Sequence, residues 1–221
     1  MCKRTDLGSR LLRSFWVLLA LLALPSASPA GPNAGGALVL HCDPQVVYSA
    51  GLDYCGSAIP ADCRALQSRV DGKGTYVLTV LAAFPPESQP CLIALVFGIE
   101  YDPTIEILGY GHCGDRDLTD DGWPASGTGV AIAWNENRYE HLVEVCWLAA
   151  YDNHGEPALL QIGAHPTQGG YFVEDCTPIQ ELDPIEDYGR FGFNTEGYLP
   201  CPGSPTPTVD RSWGVLKHRH H

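Results

Sequence analysis

Thr75-Tyr76-Val77-Leu78-Thr79-Val80-Leu81-Ala82-Ala83-Phe84 decides the fold class. Side chains alternate across a strand, so Tyr76, Leu78, Val80, Ala82 and Phe84 share one apolar face. Next along the chain, Cys91–Tyr101 is apolar on both faces as far as Ile99, the pattern of a central strand covered on both sides. Further strands are expected at Ala37–Cys42, Gln45–Ser49, Ile105–Tyr110, Gly129–Trp134, Leu142–Tyr151, Ala158–Ala164 and Gly170–Val173, each bounded by Gly, Pro, Asp or Asn. In Leu142–Tyr151 the alternation puts Val143, Val145, Trp147, Ala149 and Tyr151 on one face. Short strands at this spacing predict an all-β protein, a single antiparallel β-sandwich. The stretch from Gly31 to Pro202 suits one domain.

Helical signal is confined to Pro60–Val70, one or two turns at most. It falls in a long connection between Ala50 and Lys73, and a loop of that length needs a tether. Cys55 and Cys63 are expected to staple it internally.

Lys3, Arg4, Arg10 and Arg13 precede an apolar run from Phe15 to Leu24 that ends at Pro25, the n-region and h-region of a secretory signal. Ser28-Pro29-Ala30 places a cut before Gly31, with cuts after Ala27 or Ser28 as alternatives. The run is about half the roughly 20 residues that span a bilayer, so residues 1–30 are read as a cleaved signal peptide of bacterial export, and no membrane span is expected in the mature chain. Domain 31–202 follows. From 203 to 221 the chain is a Pro/Thr linker and tail, with the cluster Ser212-Trp213-Gly214-Val215-Leu216 and a basic end, read as a sorting or attachment address or a frayed terminus.

The full chain carries a formal net charge of −13. Losing residues 1–30 leaves 9 basic and 25 acidic residues, a net charge of −16. Such a field repels nucleic acid and anionic membrane surfaces and favours cations. Nine cysteines become eight when Cys2 departs, and an even count in an exported chain reads as a disulfide framework. No C-x-x-C pair suggests zinc. Of the 105 connectivities eight cysteines allow, Cys113–Cys146 and Cys55–Cys63 are preferred, leaving Cys42–Cys91 and Cys176–Cys201 by elimination.

Phe97-Gly98-Ile99-Glu100-Tyr101-Asp102-Pro103, followed by Ile105 and Ile107, resembles the strand, Tyr-Asp-Pro turn and strand of cohesin-type, Ig-like bacterial extracellular β-sandwiches. Pro103 stops a ladder and Asp102 can bond the turn backbone. The resemblance implies a β-sandwich and a binding or structural role without catalytic residues. The eight mature cysteines and the long loop depart from the cohesin pattern, so dockerin binding is not implied.

Motifs for catalysis are missing: there is no G-x-S-x-G, no phosphate-binding loop and no H-E-x-x-H. Glu100, Asp102 and Glu106 invite comparison with the paired carboxylates of glycosidases, but Pro103 interrupts the strand between them. In Asp115-Arg116-Asp117-Leu118-Thr119-Asp120-Asp121-Gly122, the acids Asp115, Asp117 and Asp121 offer a partial oxygen cage, making calcium the one candidate cofactor; Thr128 stands where an EF-hand loop would need its closing acid. His41, His112, His141, His154 and His165 lie singly. Trp123, beside Pro124 in the acidic stretch, is the aromatic expected to be exposed for ligand binding.

These readings converge on a secreted or cell-surface module that binds an extracellular protein or glycan, or forms part of an extracellular assembly. A secreted carbohydrate-active hydrolase and a structural filament or surface-layer subunit are the alternatives.

Overall fold

The computed structural model describes residues 31–203 apart from 58, 153 and 179; the expected signal peptide and the tail beyond 203 lie outside the described residues. In chain order the strands are β1 (Ala37–Cys42), β2 (Arg69–Val70), β3 (Gly74–Ala83), β4 (Leu92–Tyr101), β5 (Ile105–His112), β6 (Arg116–Thr119), β7 (Thr128–Arg138), β8 (Leu142–Asp152), β9 (Ala158–Gly163), β10 (Tyr171–Val173), β11 (Leu182–Pro184), β12 (Asp187–Tyr188) and β13 (Arg190–Phe193). The only helical element among the described residues is a 3-10 turn at Cys63–Ala65. No helix among them is long and apolar enough to cross a membrane.

Two sheets face each other. The first runs β12-β1-β3-β8-β5. The second runs β11-β10-β4-β9-β13-β2, with β7 along the other edge of β4 and β6 paired to β7. Pairing is antiparallel except where β12 joins β1 and β2 joins β13. The β-sandwich is therefore the fold, with the Asp102-Pro103 turn carrying the chain from β4 in one sheet to β5 in the other.

Between the sheets, Leu38, Leu40, Leu78, Val80, Leu148 and Ala150 meet Leu95, Phe97, Ile99, Val130, Ile132, Leu160 and Ile162, all fully or nearly fully buried. Each fully buried Leu, Ile or Phe contributes roughly 1.5–3 kcal/mol from apolar burial. Strand β8 departs from simple alternation. Its register against β3 slips between Val80 and Leu81, because Val80 pairs with Cys146 and Leu81 with Glu144. The extra residue, Val145, lets Val143 and Val145 reach the core together with Cys146, Leu148 and Ala150. Trp147 and Ala149 consequently point out of the sandwich, correcting the single face expected for Val143 through Tyr151.

That outward face is nevertheless buried, because residues 43–68 fold across it. Gln45–Ser49 forms no strand; Val46 and Tyr48 pack with Tyr54 against Val77, Trp147 and Ala149. Tyr54 meets Trp147 edge-on at 4.9 Å, and the Trp147 indole N–H donates to Asp53 Oδ1 at 3.0 Å. Farther along the segment, Leu66, Ile59 and Cys63 cover Val39, Leu81 and Ala83.

Two of the three disulfides fasten this cover to the body of the domain. Cys55 bonds Cys113 with Cα atoms 5.4 Å apart, Cys63 bonds Cys201 at 5.7 Å, and Cys91 bonds Cys176 at 6.4 Å. All four expected pairs are thereby replaced: Cys113–Cys146, Cys55–Cys63, Cys42–Cys91 and Cys176–Cys201. Cys42 and Cys146 stay as buried thiols. Both face the core from strands that have β3 between them. Two strand spacings, about 9.5 Å, exceed the roughly 7 Å over which Cα atoms can be bridged. Burial pushes the Cys42 thiol up to about 12 and the Cys146 thiol up as well, so neither is a ready nucleophile.

Candidate binding face

The second sheet keeps its outer face open. Opposite residues on neighbouring strands share a face, so the registers write that surface out in rows. Tyr171, Val96, Ala131 and Leu118 form one row across β10, β4, β7 and β6. Val173, Ala94, Ala133 and Arg116 form the next. Beyond the first row lie Gly98 with Gly129 and Gly163, then Glu100 with Gln161. Leu118 is 78% exposed, Ala94, Ala131, Ala133, Tyr171 and Val173 are partly exposed, and Val96 among them is buried. The result is a shallow shelf of small apolar side chains with Arg116 and Glu100 at its borders.

His165 lies over one end of the shelf. It is 3% exposed, and a Cβ on Gly129 would run into its ring. Its Nδ1 accepts from the Thr167 and Gln168 amides at 3.2 and 3.3 Å, and its Nε2 stands 3.4 Å from Asp120 Oδ2. Asp120 Oδ2 also accepts from the Gly129 amide at 3.0 Å. The two glycines, Gly98 and Gly129, make room for this crossing, since a Cβ on Gly98 would meet the Ala164 carbonyl at 2.9 Å. His165 was legible in the sequence only as a strand-end histidine.

The carboxylates singled out by sequence are dispersed. Arg116–Thr119 is strand β6, so the acidic stretch is an edge strand and its turn. Asp115 Oδ2 accepts from the Asn135 amide at 2.7 Å. Asp117 sits on the inner side, accepts from the Tyr110 hydroxyl at 3.3 Å and lies 3.6 Å from His112 Nε2. Asp121 is exposed at the following turn. Among the described residues, the only three candidate metal ligands that converge are Cys91, Asp175 and Cys176, whose sulfurs are bonded to each other.

Trp123 is half-buried rather than displayed. It meets Tyr110 edge-on at 5.4 Å and Phe97 at 6.0 Å, closing the core where the β5 and β6 edges approach. Burial in this corner, with the Asp117 charge beside it, raises the Tyr110 hydroxyl. The other carboxylates hold the turn after β4. Asp102 Oδ2 accepts from the Leu159 amide at 2.7 Å, while the Asp102 amide donates to the Leu159 carbonyl at 3.0 Å. Glu100 Oε2 accepts from Gln161 at 3.4 Å, and Glu106 stands on the opposite sheet.

One cavity of about 340 Å³ lies beside the cover, lined by Cys55, Gly56, Trp134, Arg138, Glu140 and Glu144 among others. Glu144 Oε2 accepts from the Gly56 amide at 2.6 Å. Burial raises its carboxyl, against the pull of that hydrogen bond.

No family model matches the chain, and no curated protein matches it. Among solved structures it is similar to a cohesin module from a Clostridium perfringens family 33 glycoside hydrolase, at 8% identity and a TM-score of 0.44 over 73% of this chain and 98% of that one. It is also similar to a Clostridium thermocellum structure, the Coh-OlpC–Doc435 type I cohesin–dockerin complex, at 10% identity and 0.44 over 76% and 97%. A non-cellulosomal cohesin from the archaeon Archaeoglobus fulgidus gives 8% identity and 0.37 over 83% and 99%.

Proposed function

We propose that this domain is a non-catalytic, exported binding module that docks a protein partner on the outer face of β10, β4, β7 and β6. The observation that carries the reading is the contrast between sheets. The first has its outer face sealed by residues 43–68, whereas the second presents Tyr171, Ala131 and Leu118 around a buried Val96, with no comparable cover among the described residues. A shallow apolar shelf bordered by charge suits a protein surface, since contiguous exposed apolar patches mark interaction sites and interfaces place apolar centres inside polar rims. Three disulfides support an oxidising compartment, and residues 1–30 support export.

The test uses residues 31–221 immobilised and exposed to the secreted proteins of the producing cells. The wild type is expected to retain one partner in stoichiometric amount, and Ala131→Asp to lose it with an unchanged melting temperature. Equal retention by both proteins, or turnover of a polysaccharide by the domain alone, overturns the reading.

A further inference from the structure

The chain from residue 31 is fastened at once. The Ala34 amide donates to the Gly31 carbonyl and the Gly36 amide to the Asn33 carbonyl, each at 3.1 Å. Asn33 is fully buried, and its side chain exchanges two hydrogen bonds with the Cys91 backbone at 2.8 and 2.9 Å. Asp183, in β11, is 4% exposed and receives one amide on each oxygen: Gly31 on Oδ1 and Asn33 on Oδ2, both at 2.9 Å. A Cβ on residue 31 would run into both Asp183 oxygens, so a larger residue there would have to displace that carboxyl group.

What Asp183 lacks is a counter-charge. The ion pairs among the described residues join Arg69 to Asp71 and Glu196, His112 to Asp117 and His165 to Asp120; none reaches Asp183. Two backbone amides satisfy its lone pairs only in part, and a buried carboxylate without a cation is costly. The group poised beside Oδ1 is the nitrogen of the residue that follows the expected cut.

We propose that Asp183 is the docking site of the mature N-terminus: processing cuts between Ala30 and Gly31, and the freed Gly31 α-ammonium pairs with Asp183 where its amide stood. In the cut, a processing endopeptidase adds one water across the Ala30–Gly31 peptide bond. The carboxylate stays on Ala30, and the amine left on Gly31 is protonated at neutral pH. Of the three cuts the sequence allows, this one alone places the new charge at Asp183. The others leave an uncharged amide there and a two- or three-residue overhang. The inference rests on the export reading, and it makes cleavage a step that completes the folded domain.

The experiment has two arms. Intact mass of the protein recovered from the producing cells is expected to show Gly31 as first residue. Separately, residues 31–221 and 28–221 are prepared, each with and without Asp183→Asn, and melted at pH 7. The Gly31 form is expected to melt roughly 5–10 °C above the form starting at Ser28, the scale of breaking a buried ion pair in a domain of this size. Asp183→Asn should erase that difference. Should the Asn variants fail to fold, Nα-acetylated Gly31 protein replaces them and is expected to melt with the Ser28 form. Equal melting of the Gly31 and Ser28 forms, or a difference that persists in Asp183→Asn, overturns the docking site. An uncut chain retained inside the cells overturns the export reading instead, and leaves the melting comparison to decide the site.

Discussion

The two outer faces of this sandwich are built from similar strands and put to opposite uses. On the first sheet, β1, β3 and β8 are apolar in both directions, and Val39, Leu81, Trp147 and Ala149 have residues 43–68 packed over them. On the second, most outward positions of β4 and β7 are small, Ala94, Gly98, Gly129, Ala131 and Ala133 beside a buried Val96, and Leu118 on β6 stands in solvent. Large outward residues demand a cover that belongs to the same chain. Small ones tolerate water and leave a surface flat enough for another molecule. The difference therefore separates stability from recognition, and it can be broken from either side.

The largest effect is expected at the centre of the sealed face. Trp147→Ala removes the ring under Tyr54 and the indole N–H that holds Asp53, leaving a cavity beneath the cover. A loss of about 3–5 kcal/mol is expected, read from urea or guanidinium unfolding. A loss below 1 kcal/mol would mean that residues 43–68 contribute little to stability and that the first face does not depend on its cover.

Next comes the tether. Replacing Cys55 and Cys113 together by Ala releases the cover at its midpoint while the Cys63–Cys201 bond still holds its far end. The closed segment spans 58 residues, so a loss of about 2–4 kcal/mol is expected. The remaining cover should then become the first part of the domain cut by protease, ahead of any strand. Cutting within β4 or β7 before residues 43–68 would reverse the assignment of which face depends on a tether.

How much of this was legible beforehand follows the same divide. The strands that bury both faces announced themselves, because Thr75–Phe84 and Cys91–Ile99 have no room for a helical or loop reading. The cover did not. Gln45–Ser49 alternates like a strand, yet its residues serve as loose packing on Tyr54 and Trp147. The cysteine pairs could not be read, since each bond joins positions at least 58 residues apart in sequence, and two of the three depend on how the cover folds. Strand β6 was hidden because four acidic residues between 115 and 121 look like a solvated or calcium-binding loop, whereas pairing with β7 places Asp117 inward on Tyr110 and Leu118 outward. Trp123 was misjudged for the same reason: acidic neighbours in sequence did not prevent the ring from turning onto Phe97. The open face was the least legible of all, because small residues in a strand read as weak strand rather than as surface.

A smaller, pH-dependent effect is expected at the rim of the cover. His41 is 6% exposed, and its Nδ1 accepts from the Gln67 amide at 2.9 Å, a role the neutral ring keeps. Burial lowers its pKa from the ordinary 6.5, over the opposing pull of the Asp43 charge. The unfolded chain therefore takes up a proton near pH 6.5 that the folded chain refuses, so this contribution to stability is present above that pH and is lost as pH falls through it. Glu144, raised by burial, works in the other direction. The measurement is accordingly a difference: between pH 7.5 and 5.5 wild type should lose more stability than His41→Asn. Parallel curves would show that the Gln67 contact does not depend on a neutral ring.

The smallest stability effect is expected where the functional effect is greatest. Leu118 is 78% exposed on an edge strand, opposite Ala131, with no part in the core. Leu118→Ser should change unfolding free energy by no more than about 0.5 kcal/mol, as for a surface position with no cap, cavity or buried partner. Retention of a secreted partner should nevertheless fall at least tenfold, because an apolar side chain this exposed is exposed at some cost and its burial on binding returns about 1.4 kcal/mol or more. The pairing of the two readouts is what tests the comparison. If Leu118→Ser destabilises the domain as Trp147→Ala does, the second face has a cover of its own and the two faces are alike. If it alters neither stability nor retention, the shelf is a surface without a partner, and recognition must be sought on another part of the domain.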